Sequence, residues 1–243
     1  MKYVSLRAFD CPDAWFRAVA EIWTNGEVFE VKYGSECSLT KKLNLSMEIL
    51  HPENRPLVDD HAPCDKKYVE SYALTYLYSG EKYEETYTYG SRLRKPVDQI
   101  EEAIKRYLEE QNDRQVTMVI RIPEDINKRI KNETHEPPCL SLIDTEIMDN
   151  QLHWTCYFRS WDAYAGLPAN IAGLQLLRES MVSEINQRGN RNLQPGKFIF
   201  HSKNCHIYQR QFSLVESLLN RKVTAKHSYT LDDKNGTLRK ERS

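Results

Sequence analysis

The chain has 243 residues, of which 40% are hydrophobic and 28% charged, the size and balance of a water-soluble globular protein with a substantial core. Its formal net charge of −1 argues against nucleic acid as the main partner, since a phosphate backbone calls for a basic surface. The opening "MKYVSLRAFDCPDAW" lacks an apolar core of signal-peptide length and no run approaches a membrane span, so a cytoplasmic protein without a membrane partner is expected.

Along the chain, "DCPDAWFRAVAEIWTN" (10–25) places Trp15, Val19, Ile22 and Trp23 on one helical face, with Gly26 to end the helix. Polar, β-leaning stretches such as "LNLSMEIL" follow, and then a Pro-rich loop, "HPENRPLVDDHAPCD". Tyr68 to Tyr78 reads as a helix stopped by Ser79-Gly80, and "ETYTYGSRLR" has the composition of a strand or ordered loop. "VDQIEEAIKRYLEEQN" predicts an amphipathic helix with Ile100, Ile104, Tyr107 and Leu108 inward. "RQVTMVIRI" and "LHWTCYFRS" alternate as strands, and Asn170 to Arg188 predicts a long helix, apolar through Ile171, Leu174, Leu177 and Met181. "GKFIFHSKNCHIY" predicts one or two further strands, and the polar tail, 231–243, is expected to be mobile. No repeat or low-complexity linker divides the chain, which reads as one α+β domain over 1–243.

The six cysteines (Cys11, Cys37, Cys64, Cys139, Cys156, Cys205) form no CxxC pair and no compact framework. Reduced thiols are expected, and no metal, because no His/Cys set has local ligand spacing.

Four short features could carry chemistry. "PPCL" presents Cys139 from a stiff, extended segment. "FRSWD" supplies Arg159, Ser160 and Asp162, "GLPANI" supplies Asn170, and "HIY" supplies His206 and Tyr208. Taken singly, each has an ordinary explanation. A lone Cys is most often a small buried apolar residue, Arg159 could be a surface ion pair, and Asn170 could cap the helix beside it. His206 and Tyr208 could be half-buried packing on one strand face.

Their order and spacing resemble the thymidylate synthase family: Pro-Pro-Cys, then Arg-Ser-x-Asp, Gly-Leu-Pro-x-Asn-Ile and His-x-Tyr. "YTYGSRLR" is similar to that family's Tyr-Gly segment, and "VDQIEEAIKRYLEEQNDRQVTMVI" to its Asp-Gln helix and arginine-bearing strand. The likeness runs from Tyr87 to Phe212 and is weak before it. In compact length and its Cys-Leu pair the chain looks most like the short archaeal-type members.

The resemblance implies a mixed sheet flanked by helices, with the sheet at a homodimer interface. It also implies one-carbon transfer to ring carbon 5 of a pyrimidine nucleoside monophosphate, with 5,10-methylene-tetrahydrofolate or a related pterin as co-substrate. Carbon 5 is a poor nucleophile until a thiolate adds at carbon 6. Cys139 would be that thiolate, with Arg159 as its neighbouring positive charge and, beside Ser160, a phosphate ligand. Asn170 offers a donor and an acceptor to the base and stabilises charge on the 4-oxygen. Asp162, with Gly166, would lie between nucleotide and folate, His206 and Tyr208 would bind the sugar hydroxyl, and Tyr89 would join the catalytic group. Arg114 matches the first of two arginines lent across the dimer to the partner's phosphate site.

The chain departs from the family pattern in places. The second arginine is Gln115, leaving Arg92, Arg94 and Arg121 as candidates; the Phe before Asn170 is Ala169, expected to leave space beside the nucleotide; Lys203-Asn204 replaces Gly-Asp. No Trp occurs between Trp23 and Trp154, where a folate-packing indole is expected. The general-base glutamate is expected near Ala73, with Glu70, Glu84 and Glu85 as candidates. Thymidylate synthase acting on dUMP is the leading expectation. A hydroxymethylase of dUMP, dCMP or CMP, in which water reaches the intermediate, and a non-catalytic nucleotide binder remain open. Asn170, where cytosine-directed hydroxymethylases carry Asp, favours uracil.

Overall fold

In the computed structural model, residues 1–33, 36–126, 137–224, 229–232 and 237–240 are described. Strand β1 (Tyr3–Ala8) leads to helix α1 (Cys11–Asn25), whose N-terminus is capped by the Asp10 carboxylate accepting from the Asp13 amide. Strands β2 (Glu27–Tyr33) and β3 (Glu36–Ile49) form an antiparallel pair. Helix α2 (Lys66–Tyr72) runs directly into a π-helical segment, Ala73–Tyr78, and the short helices α3 (Tyr89–Arg94) and α4 (Gln99–Glu109) follow.

The second half holds β4 (Thr117–Val119), β5 (Leu140–Met148), β6 (Gln151–Phe158) and the two-residue β7 (Trp161–Asp162). Helix α5 (Gly166–Gly189), strand β8 (Gln194–Tyr208), helix α6 (Phe212–Thr224) and strands β9 (Tyr229–Asp232) and β10 (Thr237–Lys240) complete the order.

The main sheet runs β1-β3-β8-β6-β5-β4, with β2 also on β3 and β7 also on β8. It is mixed: β1 with β3 and β6 with β8 are parallel, whereas β3 with β8, β5 with β6 and β4 with β5 are antiparallel. The expected mixed sheet flanked by helices is therefore present. Its two faces differ because side chains alternate along each strand. Leu43, Leu45, Met47, Trp154, Cys156, Phe158, Phe198 and Phe200 are buried toward the helices. The other face carries polar pairs, including Ser46 with His201 and Glu48 with both Arg7 and Lys197.

Helix α5 crosses the covered face. It is buried nearly all round, from Ile171 through Leu174, Leu177, Met181 and Ile185, since α1, α2, α4 and the sheet all pack on it. Even its Arg178 is fully buried, donating to Gln175 and to the Lys197 carbonyl with its guanidinium over the Phe198 ring.

Two expectations are corrected. Within "YTYGSRLR", Tyr89–Arg94 is a helix, because a reciprocal capping box between Thr88 and Ser91 starts α3. The regular structure continues past Tyr208 into α6. Of the polar tail, 231–232 and 237–240 belong to the antiparallel pair β9–β10, while 233–236 and 241–243 lie outside the described residues.

Candidate active site

Register brings the thiol and the guanidinium together. Leu140 pairs with Phe158 across β5 and β6, so Cys139 and Arg159, the next residues outward, are neighbours, and the Arg159 amide donates to the Cys139 carbonyl at 2.9 Å. The Arg159 side chain then turns back over the Pro-Pro-Cys segment. Nε donates to the Pro138 carbonyl at 3.0 Å, Nη2 donates to the Pro137 carbonyl at 2.6 Å, and Nη2 lies 3.8 Å from Cys139 Sγ. A guanidinium has five N–H donors. The two on Nη1 have no protein partner among the described residues, leaving them for an anion. Buried Tyr89 supports the same segment, its hydroxyl accepting from the Leu140 amide at 3.3 Å.

The remaining thiols differ. Cys11, Cys156 and Cys205 are fully buried, and burial pushes each thiol up, Cys11 to about 12. Burial and the Asp65 charge raise Cys64 to about 11. Cys139 is instead partly buried, with the Arg159 guanidinium 3.8 Å from its sulfur.

Asn170 lies within the second turn of α5, not at its cap. The helix begins at Gly166, and the amides ahead of it, Tyr164 and Ala165, donate to Asp162 Oδ1 at 3.1 and 3.0 Å. The carboxamide is held at both ends. Trp161 Nε1 donates to its Oδ1 at 2.9 Å, and its Nδ2 donates to the Tyr72 hydroxyl at 2.8 Å. Each end keeps one unused site, a lone pair on Oδ1 and a proton on Nδ2.

Tyr72 belongs to a tyrosine cluster. Tyr68, Tyr72 and Tyr76, four residues apart on one helical face, stack at 6.4 and 5.3 Å, and Tyr76 meets Tyr89 edge-on at 5.1 Å. Burial pushes the Tyr72, Tyr76 and Tyr89 phenols up, so they keep their protons across the physiological range.

The third wall comes from β7 and β8. Ser160 Oγ accepts from Asn204 Nδ2 at 3.2 Å, which leaves the hydroxyl proton free to point at a ligand. His206, 5% exposed, contacts the Asn204 carbonyl through Nδ1 at 3.1 Å. A carbonyl only accepts, so Nδ1 carries the proton and Nε2 keeps an open lone pair. Tyr208 meets the His206 ring edge-on at 4.6 Å. Gln211 donates to both oxygens of Asp162 at 3.2 and 3.0 Å, which fixes the carboxylate while Oδ2 retains acceptor capacity. Gly166 is close to both groups: a Cβ there would lie 3.5 Å from Asp162 Cβ and 3.6 Å from Asn170 Oδ1.

Cys139, Arg159 and Tyr89 thus share one cluster, and Asp162, Gly166 and Asn170 line a second through β7 and the start of α5. Ser160, His206 and Tyr208 line a third, tied to the second because Gln211 bridges Asp162 and the Tyr208 amide. Arg114 is exposed in the turn between α4 and β4 and makes no contact with this group. Arg92 is paired with buried Asp125 and Arg94 with Asp98, whereas Nε of Arg121 is buried without a partner among the described residues. The three glutamates considered as general base are all exposed, Glu70 being paired with Lys66, and Ala73 is buried at 3% exposure. Ala169 is itself buried, at 4% exposure.

Sequence reasoning passed over Tyr72, Trp161 and Gln211. A four-residue tyrosine spacing and the indole inside "FRSWD" were the available signals for the first two.

Comparison with known proteins accords with this geometry. The model of the family described as thymidylate synthase matches residues 57–241, beginning well before the Tyr87 boundary drawn from motifs. A protein of Methanosarcina acetivorans named "Putative thymidylate synthase" is 32% identical over 218 residues, covering 88% of this chain and 94% of its own. One of the same name from Methanothermobacter marburgensis is 29% identical, covering 85% and 94%. The thymidylate synthase of Listeria monocytogenes is 30% identical over 142 residues, covering 58% of this chain and 42% of its own.

Proposed function

Because the chain belongs to the thymidylate synthase family and is accordingly a one-carbon transferase, we propose that it converts dUMP to dTMP through a covalent adduct on Cys139. The observation that carries this reading is the Arg159 guanidinium, tied to two proline carbonyls and 3.8 Å from the Cys139 sulfur.

The residues divide the work. Arg159, through Nη1, and the Ser160 hydroxyl hold the phosphate, and His206 Nε2 accepts from a sugar hydroxyl with Tyr208 beside it. The Cys139 thiolate adds to ring carbon 6, moving electron density toward the 4-oxygen, where the remaining Asn170 Nδ2 proton stabilises it. The family's co-substrate, 5,10-methylene-tetrahydrofolate, supplies the carbon and, for a methyl product, the hydride. Asp162 Oδ2 and Gly166 would hold it, and the Tyr68–Tyr72 stack offers flat aromatic surface where the expected indole is missing. That surface, together with buried Ala169, favours the water-excluding methyl outcome over the hydroxymethyl one.

A hydroxymethylase of dUMP, dCMP or CMP is the second reading. It is favoured by the tryptophans: Trp15, Trp154 and Trp161 are buried and Trp23 packs on Phe212, so none faces a folate. A homodimer with shared sites completes the proposal. The polar sheet face, which carries no helix of this chain among the described residues, would be the interface, with exposed Arg114 reaching the partner's phosphate.

The test is Cys139→Ser with dUMP and methylene-tetrahydrofolate. Loss of dTMP formation with dUMP affinity kept within about threefold is expected, since a hydroxyl is a far weaker nucleophile than a thiolate at neutral pH. Full turnover by the variant would refute the covalent route.

A further inference from the structure

Asn170 is the proposed base reader, and a carboxamide has an ambiguity of its own. Its two ends are nearly the same shape, so a free amide can turn over and exchange donor for acceptor. With a 4-oxygen and a protonated N3, uracil needs N–H at the first and C=O at the second. Cytosine, with a 4-amino group and a bare N3, needs the reverse. An amide free to turn would accept both.

Asn170 is not free to turn. Trp161 Nε1 donates to Oδ1 at 2.9 Å, and an indole N–H can only donate. If the amide turned over, its NH₂ would face the indole N–H, and two donors would confront each other in a dry site. Nor can the indole move aside. Trp161 is 2% exposed, stacked on Phe158 at 4.3 Å and 6°, and packed on Phe200 at 5.2 Å. Its backbone is fixed in β7 by pairing with Cys205 of β8. At the other end, the Tyr72 hydroxyl could accept or donate, so it tolerates either orientation. The choice is made at the indole.

The orientation also has a sense. On the proposed uracil substrate, the edge that Asn170 reads carries one acceptor, the 4-oxygen, and one donor, the N3 proton. With Oδ1 held by Trp161 and Nδ2 by Tyr72, the remaining Nδ2 proton meets the 4-oxygen and the remaining Oδ1 lone pair meets the N3 proton. The end at the 4-position can only donate.

We propose that Trp161 is a specificity-determining positioning residue: by locking Oδ1 of Asn170, it makes the site read the 4-oxygen of a uracil nucleotide and reject the 4-amino group of a cytosine nucleotide. This rests on the reading of Asn170 as base reader, and the experiment separates the two claims.

The ratio of kcat/KM for dUMP over dCMP, and the corresponding ratio of binding constants, are measured for the wild type, Trp161→Phe, Tyr72→Phe and Asn170→Ala. Trp161→Phe keeps an aromatic ring on Phe158 while removing the donor. It is expected to lower both ratios at least about tenfold, mainly by improving dCMP binding, as one freed hydrogen-bond orientation allows. Tyr72→Phe is expected to weaken both nucleotides and leave the ratios within about threefold, because that end does not choose the orientation. Wild-type ratios in Trp161→Phe, with the ratios collapsed in Asn170→Ala, would overturn the lock and leave the base reader standing. Unchanged ratios in Asn170→Ala would refute the base reader itself. A crystal structure of the wild type with dUMP needs no variant to fold. It should place the 4-oxygen within about 3.2 Å of the amide atom remote from Trp161, and a 4-oxygen on the indole side would overturn the proposal.

Discussion

At the scale of single residues, the site assigns its donors and acceptors before any ligand arrives. Arg159 spends two groups on proline carbonyls, Asn170 one at each end, and His206 its Nδ1 proton on Asn204. What remains is a directional set: Nη1 for an anion, one amide proton, one amide lone pair, and the Nε2 lone pair. The last of these depends on a neutral imidazole. Burial, with Lys42 and Arg210 nearby, holds the His206 pKa below its ordinary 6.5 against the pull of the Asn204 carbonyl and Asp162.

The consequence for stability has a definite sign. Below about pH 6.5 the unfolded chain takes up a proton that the folded chain resists, so stability is full above that pH and falls as pH drops toward the depressed folded value. Urea titrations of the wild type and His206→Gln between pH 8 and pH 5 should show the wild type losing more stability on acidification. A difference between the two that stays constant with pH would contradict the buried neutral histidine.

At the scale of elements, the site depends on how closely α5 approaches the π-helical segment. Gly173 sits at that crossing, where a Cβ would come within 2.8 Å of the Tyr72 ring and 2.9 Å of Leu77. Gly173→Ala gains helix propensity but must displace Tyr72, the ring bonded to Asn170. It is expected to cost about 1–3 kcal/mol of stability, as overpacking does, and to lower kcat/KM for dUMP at least about tenfold through the shifted amide. Thermal melts and steady-state kinetics check this; a variant as stable and active as the wild type would show that Tyr72 does not hold the amide in place. Elements with strong periodicity were legible in the sequence, namely α1, α4 and β6, because each buries one continuous apolar face, and α5 was legible from its long apolar run although it is buried nearly all round. Helix α3 was not, since its six residues depend on a capping box and on Gly90, where any Cβ would collide with the Ser79 and Leu77 carbonyls. The site divides in the same way. Cys139, Arg159, Asp162 and Asn170 lie in motifs whose chemistry is local, whereas the partner of Asn170 on α2 is 98 residues away and no local pattern announces the contact. The glutamates suggested by the family resemblance are exposed, Glu70 on α2 and Glu84 and Glu85 in the turn beyond Tyr78, while the helical face nearest the amide carries tyrosines.

At the scale of the whole molecule, the outer sheet face and the separation of Arg114 from the thiol raise the same question. Within one chain, Arg114 is exposed in a turn and lies apart from Cys139 and Arg159. If the proposed dimer shares its sites, Arg114→Ala and Cys139→Ser are each nearly inactive, yet a mixture that exchanges subunits should regain up to about a quarter of wild-type activity, since random pairing makes half the dimers mixed, each with one intact site. No regain after subunit exchange, confirmed by mass analysis of mixed dimers, would mean that each chain completes its own site.

If Cys139 activates ring carbon 5 of a uracil nucleotide for one-carbon transfer, the hydrogen on that carbon must be lost to solvent. With [5-³H]dUMP and methylene-tetrahydrofolate, and with mass analysis of the product, the wild type is expected to release tritium in step with dTMP formation and Cys139→Ser to release none. No release by the wild type, or equal release by the serine variant, would contradict activation by Cys139.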